Sequence, residues 1–316
     1  IASALSRYDP DLLIVDKVPG GAFGELLPAL RMLSERGRVR SILGIRDVLD
    51  DAATVQAEWA DSNCDAVIAA FYQGVWVYGD QRVYDPLEEY RWSSEIAAMT
   101  KFTGYLDQSL RIRRPSHETD SWVANLRRNC GALFVCTLGG GKDGYPLAQN
   151  FLAAMKDSHD CGVLLAGPFM SRELYASLKA FAKGRPNLQV LDFSPEADRL
   201  IQLADGVIAM GGYTTVASIL SFRKPALIVP RVEPRREQWI RANRLAGLSA
   251  IDVVHPKNAS PAEIQQWTAN VRRLRPADLP CRVNLAGLQR VVDFATDLAG
   301  HPVERAPAAA SISSIA

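Results

Sequence analysis

ADGVIAMGGYTTVASILSFRKPALIVPRVEPRREQWIRANRL, residues 204–245, is the stretch whose reading decides the fold. Residues 205–210 form a short, mostly apolar run of strand length that ends on Gly211 and Gly212. Residues 213–222 have helical spacing, with Val216, Ile219 and Leu220 on one face and Thr214 or Thr215 as the expected N-cap. Lys224-Pro225 stops that helix, 226–229 reads as a second buried strand, and 234–246 as a second helix rich in arginine. A strand that feeds a helix through glycines sets unpaired N–H groups and the positive end of the helix dipole at the turn. Glycine then lets an anion approach the backbone. The arginines of the second helix read as a solvated face.

The same alternation extends in both directions. Upstream, strands are expected at 12–15, 39–45 and 74–78, with an amphipathic helix at 23–34 and another opening at DVLDDAATVQAEW, whose acidic residues suit a helix N-terminus. Downstream, strands are expected at 132–137, 163–166, 188–191 and 249–254. Helices are expected at 147–156, 172–182, from Pro195, at 261–273 and at 283–298. Strands that are apolar on both sides and alternate with helices make a parallel sheet covered on both faces, an α/β fold. The polar segment RIRRPSHETD, 111–120, interrupts the periodicity and places a domain boundary between 1–117 and 118–298. Its three arginines could touch anionic lipid, as peripheral membrane contact, or substrate, or simply be solvated. The Ala/Ser-rich tail 299–316 is expected to be disordered. Ile1 opens part-way along a helix ahead of a mid-sheet strand. The first βα portion of the N-terminal domain is therefore expected to be missing, and residues 1–316 alone to be inactive.

Composition narrows the class. At 316 residues the chain has room for two cores, and 48% hydrophobic with 22% charged residues is ordinary for a globular protein. A net charge of +1 gives no footprint for nucleic acid. Five scattered cysteines without CxxC or CxxH spacing point to reduced thiols in a cytoplasm rather than to disulfides or zinc. No apolar run has membrane-spanning length. The segment Gly139-Gly140-Gly141-Lys142-Asp143-Gly144 follows a strand and precedes a helix, but it has neither Walker A nor GxGxxG spacing.

Taken together, GGYTTV, KPALIVPR, PRREQWIRANRL and LGGGKDGYP resemble the donor half of GT-B glycosyltransferases. The likeness is to the bacterial predicted glycosyltransferases related to family 28, the family of the peptidoglycan N-acetylglucosaminyltransferase. It implies two Rossmann-like domains facing across a cleft, the first incomplete at its N-terminus. The implied activity is transfer of a hexosyl or N-acetylhexosaminyl group from a nucleotide-sugar donor, a UDP-sugar, to an unidentified sugar or lipid-linked acceptor. By the same resemblance Gly211, Gly212, Tyr213, Thr214 and Thr215 hold the diphosphate, and Gly139, Gly140, Gly141 and Lys142 lie beside it. Gly167 sits at another strand end, the backbone around Phe193 reads the base, Gln238 meets the sugar, and Arg235 a phosphate or sugar hydroxyl. Ser218 departs from the pattern, standing where relatives carry an acidic residue against the ribose. Ser218→Glu is accordingly expected to tighten UDP binding.

Inversion at the sugar needs a base for the acceptor hydroxyl. Asp16 and Asp47 stand at strand ends of the first domain and are the catalytic candidates, with Arg46 and Asp47 of LGIRDVLDD as acceptor-side residues. The four histidines read as surface residues. The resemblance implies no cofactor and no metal, because helix dipoles and backbone N–H groups can neutralise a leaving diphosphate. A GT-B sugar-nucleotide epimerase and a non-catalytic nucleotide-sugar binder are the alternatives.

Overall fold

The computed structural model describes residues 1–112, 117–128, 130–248, 250–274 and 283–299. The chain divides into two compact units, Ile1–Leu106 together with the chain from Asn284, and Asp107–Val283. In the first unit the order is α1 (Ala2–Tyr8), β1 (Leu12–Asp16), α2 (Leu27–Arg36), β2 (Arg40–Arg46), α3 (Ala52–Asp61) and α4 (Cys64–Phe71). β3 (Gly74–Tyr78), α5 (Pro86–Glu89), α6 (Ser94–Met99) and β4 (Thr100–Phe102) follow. The four strands pair in parallel in sequence order. Asp51 caps α3 by accepting from Thr54 N, so an acid does sit where that helix dipole favours it.

The second unit runs α7 (His117–Arg127), β5 (Leu133–Thr137), α8 (Tyr145–Met155), β6 (Cys161–Leu165), α9 (Arg172–Ala182) and β7 (Leu188–Leu191). It continues through α10 (Ala197–Leu203), β8 (Gly206–Ala209), α11 (Tyr213–Ser221), β9 (Ala226–Ile228), α12 (Glu237–Gly247), β10 (Asp252–Val253) and α13 (Pro261–Val271). Its six parallel strands lie in the order β10-β9-β8-β5-β6-β7, a doubly wound Rossmann arrangement whose direction of winding reverses between β5 and β8. β5, β6 and β8 are buried along their whole length. That is why they read as unbroken apolar runs rather than as alternation.

Several expectations shift. α10 starts at Ala197, two residues after Pro195, and α2 starts four residues later than its periodicity suggested. α11 is capped by Gly212, with Thr214 and Thr215 inside the helix. The last helix, α14 (Gly287–Ala299), groups with the first unit rather than finishing the second, and the division falls at 106/107 rather than 117/118. The reason is a set of contacts far apart in sequence. Tyr105 N donates to Asn284 O at 2.8 Å, Leu106 bridges Ala286, and the Phe294 ring packs 5.8 Å from Trp76. Residues 113–116 of the expected linker and 300–316 of the expected tail lie outside the described residues.

The cysteine reading is corrected. Cys130 and Cys161 are joined in a disulfide, with Cα atoms 5.6 Å apart. Cys130 precedes β5 and Cys161 begins β6, so the parallel pairing of Leu133 with Cys161 brings together residues that no spacing motif connects. Closing a loop of sequence separation 31 removes unfolded-state entropy equivalent to about 3–4 kcal/mol. The inference of a reducing compartment from cysteine pattern therefore falls away. Cys64 and Cys136 are buried free thiols. Burial pushes Cys64 up to about 11 and Cys136 upward as well, so both stay protonated near neutrality. Among the described residues no helix is long and apolar enough to cross a membrane.

Asp80 ties the returning segment to the first unit. Its Oδ2 accepts from Asn284 N at 2.7 Å and from Arg82 Nη2 at 2.6 Å. Burial pushes its carboxyl up, but the Arg82 bond and the backbone N–H groups of Asn284 and Arg82 outweigh burial and leave it below the usual range. A depressed folded-state value stabilises above the unfolded pKa, and the contribution is lost as pH falls through the folded value. Asp80→Asn should therefore cost about 1.5–3 kcal/mol at neutral pH, the worth of hydrogen bonds to a charged group. Its thermal midpoint should converge on that of the parent below about pH 4. Calorimetric melts between pH 3 and 7 check this; parallel curves at all pH values would exclude the carboxylate as the tie.

Candidate functional site

At the C-terminal edge of the second unit's sheet, the loops after β5, β6 and β7 and the start of α11 enclose a cavity of about 410 Å³. It spans the place where winding reverses, the position where open α/β sheets receive ligands. Thr137, Gly139 and Gly140 line it from β5, Gly167 and Pro168 from β6, and Asp192, Phe193, Ser194 and Pro195 from β7. Asp198 contributes from α10, Thr214, Thr215 and Ser218 from α11, and Arg111 from the segment before α7.

The backbone turns are locked by close approach. Gly141 has φ +84°, and a Cβ there would run into the Ala166 carbonyl of the next loop. Phe169 N donates to Gly140 O and Gly167 N donates to Asp192 O, both at 2.9 Å, so the three loops are laced in series. On the α11 side Gly211 is also left-handed, at φ +86°. Its carbonyl accepts from Arg241 Nη1 at 3.2 Å, and the Arg241 guanidinium lies 5.8 Å from the Tyr213 ring centroid. Arg241 is fully buried, which corrects the reading of the α12 arginines as a solvated face. Gly212 keeps an ordinary φ of −59°, and a Cβ on it would meet nothing within 4 Å. The first turn of α11, whose N–H groups have no partner within the helix itself, therefore stands behind an open approach at Gly212.

Ser218 lies one turn into α11 and is 1% exposed. Its Oγ is 2.6 Å from Asp198 Oδ1 and 3.0 Å from Thr214 O. Arg111 Nη1 stands 3.5 Å from Asp198 Oδ2. The carboxylate expected on α11 is absent, but one reaches the same spot from α10. This reverses the expectation for Ser218→Glu, which would press a second carboxylate against Asp198 in a buried position.

The other sequence candidates divide. Thr214, Thr215, Gly139, Gly140, Gly167 and Phe193 line the cavity, while Gly141, Gly211 and Tyr213 support it from behind. Phe193 is exposed, and its own N–H is taken by Asp192 Oδ1 at 2.8 Å, so it presents a ring rather than a free donor. Lys142 is exposed and outside the lining. Gln238 does not line it either, because its Oε1 accepts from Arg231 N at 3.0 Å. Arg231 in turn bonds Glu237 at 2.8 Å and Asp143 at 3.2 Å, a cluster that steadies the loop before α12. Arg235 is also outside the lining.

In the first unit Asp47 is 0% exposed, with Tyr105 Oη donating to Oδ2 at 2.6 Å and Val48 N to Oδ1 at 2.7 Å. Those donors bind it into the core, which corrects its assignment as catalytic or acceptor-side. Asp16 and Arg46 are exposed at the ends of β1 and β2 and stand 3.7 Å apart. Among the described residues no cluster of His, Cys, Asp and Glu could hold a metal ion. Asp198 was missed in the sequence, whereas Arg111 is one of the three arginines of the 111–120 segment that were read as able to touch a ligand. Asp198 carries only the ordinary signal of an acid in a helix's first turn.

Two Rossmann-like units with this winding define the GT-B class. Residues 164–278 match the glycosyltransferase family 28 C-terminal domain, a span that includes the loops after β6, β7 and β8. No curated protein matches the chain in sequence. Among solved structures it is similar to the glycotransferase of kitacinnamycin, with a TM-score of 0.59 and 14% identity, covering 94% of this chain and 78% of that one. MurG of Acinetobacter baumannii gives a TM-score of 0.57 and 15% identity over 94% and 77%. UDP-GlcNAc 2-epimerase from Neisseria meningitidis, bound to UDP-GlcNAc, gives 0.62 and 12% over 94% and 78%.

Gly141→Ala should lower stability by more than about 1 kcal/mol, since a left-handed φ and a blocked carbonyl both oppose the methyl. Gly212→Ala, with open space and an ordinary φ, should stay within about 0.5 kcal/mol of the parent. Urea unfolding of the two variants tests the contrast, and equal midpoints would show that the loops are not laced as described.

Proposed function

We propose that this protein is a glycosyltransferase that binds a nucleoside diphosphate sugar, a UDP-sugar, in the cavity of its second unit and passes the sugar to a sugar or lipid-linked acceptor. The observation that carries this reading is the open approach to the α11 N-terminus beneath Thr214 and Thr215, at the reversal of a doubly wound sheet. The family 28 match, which takes in the loops after β6 and β7 and the start of α11, supports it. A cavity of about 410 Å³ falls within the usual range for small-molecule sites.

In this reading the α11 N–H groups and helix dipole neutralise the charge that grows on the leaving diphosphate, a stabilisation strongest at the transition state. The exposed Phe193 ring offers an apolar face at the rim for a base. Asp16 takes the role of general base on the acceptor side, since its carboxylate is exposed at a strand end whereas Asp47 is buried.

Calorimetric titration with UDP should show binding by the parent and a loss of at least tenfold for Gly212→Val, about 1.4 kcal/mol, because the branched side chain enters the open approach. An unchanged dissociation constant in a folded variant would remove the diphosphate from this turn. Incubating UDP-sugars with and without sugar and lipid-linked acceptors tests the reaction class. Acceptor-dependent release of UDP, reduced at least a hundredfold in Asp16→Asn, is expected. Altered donor in the absence of acceptor would select an epimerase instead.

A further inference from the structure

We propose that the first unit carries a saccharide-binding site of its own, built on Trp59 and Trp92 and separate from its strand ends. This does not rest on the nucleotide reading of the second unit.

A cavity of about 430 Å³ opens where α3, the start of α4 and the loop between α5 and α6 meet. That volume falls in the usual range for small-molecule sites. Gln56, Trp59 and Ala60 are spaced i, i+3 and i+4, so they share one face of α3. Trp92 comes from the loop, where its backbone N–H donates to Leu87 O at 3.2 Å. The two indoles are stacked, with centroids 5.3 Å apart and planes at 25°, and the Tyr90 ring lies 6.0 Å from Trp92. Asp16 and Arg46 are not part of the lining.

The polar groups define what fits. The Trp92 indole N–H is buried and has no hydrogen-bond partner among the described residues. A buried donor without an acceptor costs free energy that a ligand can recover. Asn63 is the N-cap residue of α4, yet its side chain makes no capping bond. Its backbone is left-handed, at φ +46°, rather than extended as a capping side chain requires. Asp65 Oδ1 accepts from Trp59 Nε1 at 2.5 Å, which leaves about three of a carboxylate's lone-pair sites open. Arg91 also lines the cavity and brings donors alone.

Indole, amide and guanidinium donors beside a carboxylate acceptor call for a ligand whose groups both donate and accept. Hydroxyls do both. A cation against the aromatic faces would leave the Trp92 N–H unpaired and would face Arg91. A flat base cannot enter between the indoles, which already lie against each other. A sugar ring meets every demand, since its C–H face suits the negative face of an aromatic ring while its hydroxyls reach the polar groups.

Packing alone does not ask for tryptophan at 92. A phenyl ring would stack on Trp59 and contact Tyr90 without burying an unpaired donor. The indole nitrogen is a cost to the free protein and a gain only with an acceptor in the cavity.

The test titrates the full chain with disaccharides of glucose, galactose, mannose and N-acetylglucosamine, up to tens of millimolar, by saturation-transfer NMR and tryptophan fluorescence. At least one should bind with a millimolar or tighter dissociation constant and shift the tryptophan emission. Trp92→Phe, which keeps a ring and removes the donor, should weaken that sugar by about fivefold or more, and Asn63→Ala by about threefold or more. Trp92→Phe should also melt no lower than the parent, because the lost N–H serves no contact within the fold. If none of the disaccharides binds, the proposal is overturned. Binding that stays within about twofold of the parent in both variants overturns it as well, since the sugar then sits elsewhere. A lower midpoint for Trp92→Phe with unchanged sugar affinity would make the indole structural and has the same consequence.

Discussion

β5 and β8 can lie side by side because Gly206 has no side chain. A Cβ at that position would come within 2.9 Å of the Phe134 ring and 3.0 Å of Trp267, and Phe134 is the residue paired with Gly206 across the two strands. The two aromatic rings meet edge to face, with centroids 6.1 Å apart, and fill the space glycine leaves. That pairing sets the register that ends at Thr137 opposite Ala209. From there one chain continues into the three-glycine loop and the other into Gly211. Were the strands held apart, the two turns would no longer flank one cavity.

The cavity wall is made mostly of backbone, and the side chains that fix it work from behind. Arg241 is the plainest case. A buried guanidinium is costly unless its donors are satisfied, and here one donor fixes the Gly211 carbonyl while the cation rests over Tyr213. Arg231, Gln238, Glu237 and Asp143 act similarly on the neighbouring loop. A site assembled in this way carries its electrostatics in fixed dipoles, which need no reorganisation when charge develops on a ligand.

Much of the architecture was legible because its signals are local. The strand 188–191 and the helix 172–182 were read from periodicity and appear with those bounds. The glycine turns announced themselves by composition, and seven of the residues named for the donor line one cavity. What escaped depends on register between distant elements. The α12 arginines looked alike in sequence, yet only the three-dimensional path of that helix buries Arg241 against a carbonyl 30 residues away. Asp47 looked like a strand-end carboxylate open to solvent until Tyr105, 58 residues on, closed over it. Ser218 read as a missing acid because its partner, Asp198, is 20 residues upstream on another helix. Gln238 had the right residue type at the right helix start, but a local backbone donor claims it.

The return of α14 to the first unit makes the second unit an insertion, with the chain crossing between the two at 106/107 and again at 283/284. During synthesis the Trp76 surface that receives Phe294 would wait for the 217 residues between them to be translated, roughly 10–45 s at usual ribosomal rates. The second unit, contiguous in sequence, is free to fold as soon as it emerges. The N-terminal part of this protein would thus be the last to be completed, and a chaperone that shields apolar surface on nascent chains would have its longest engagement there.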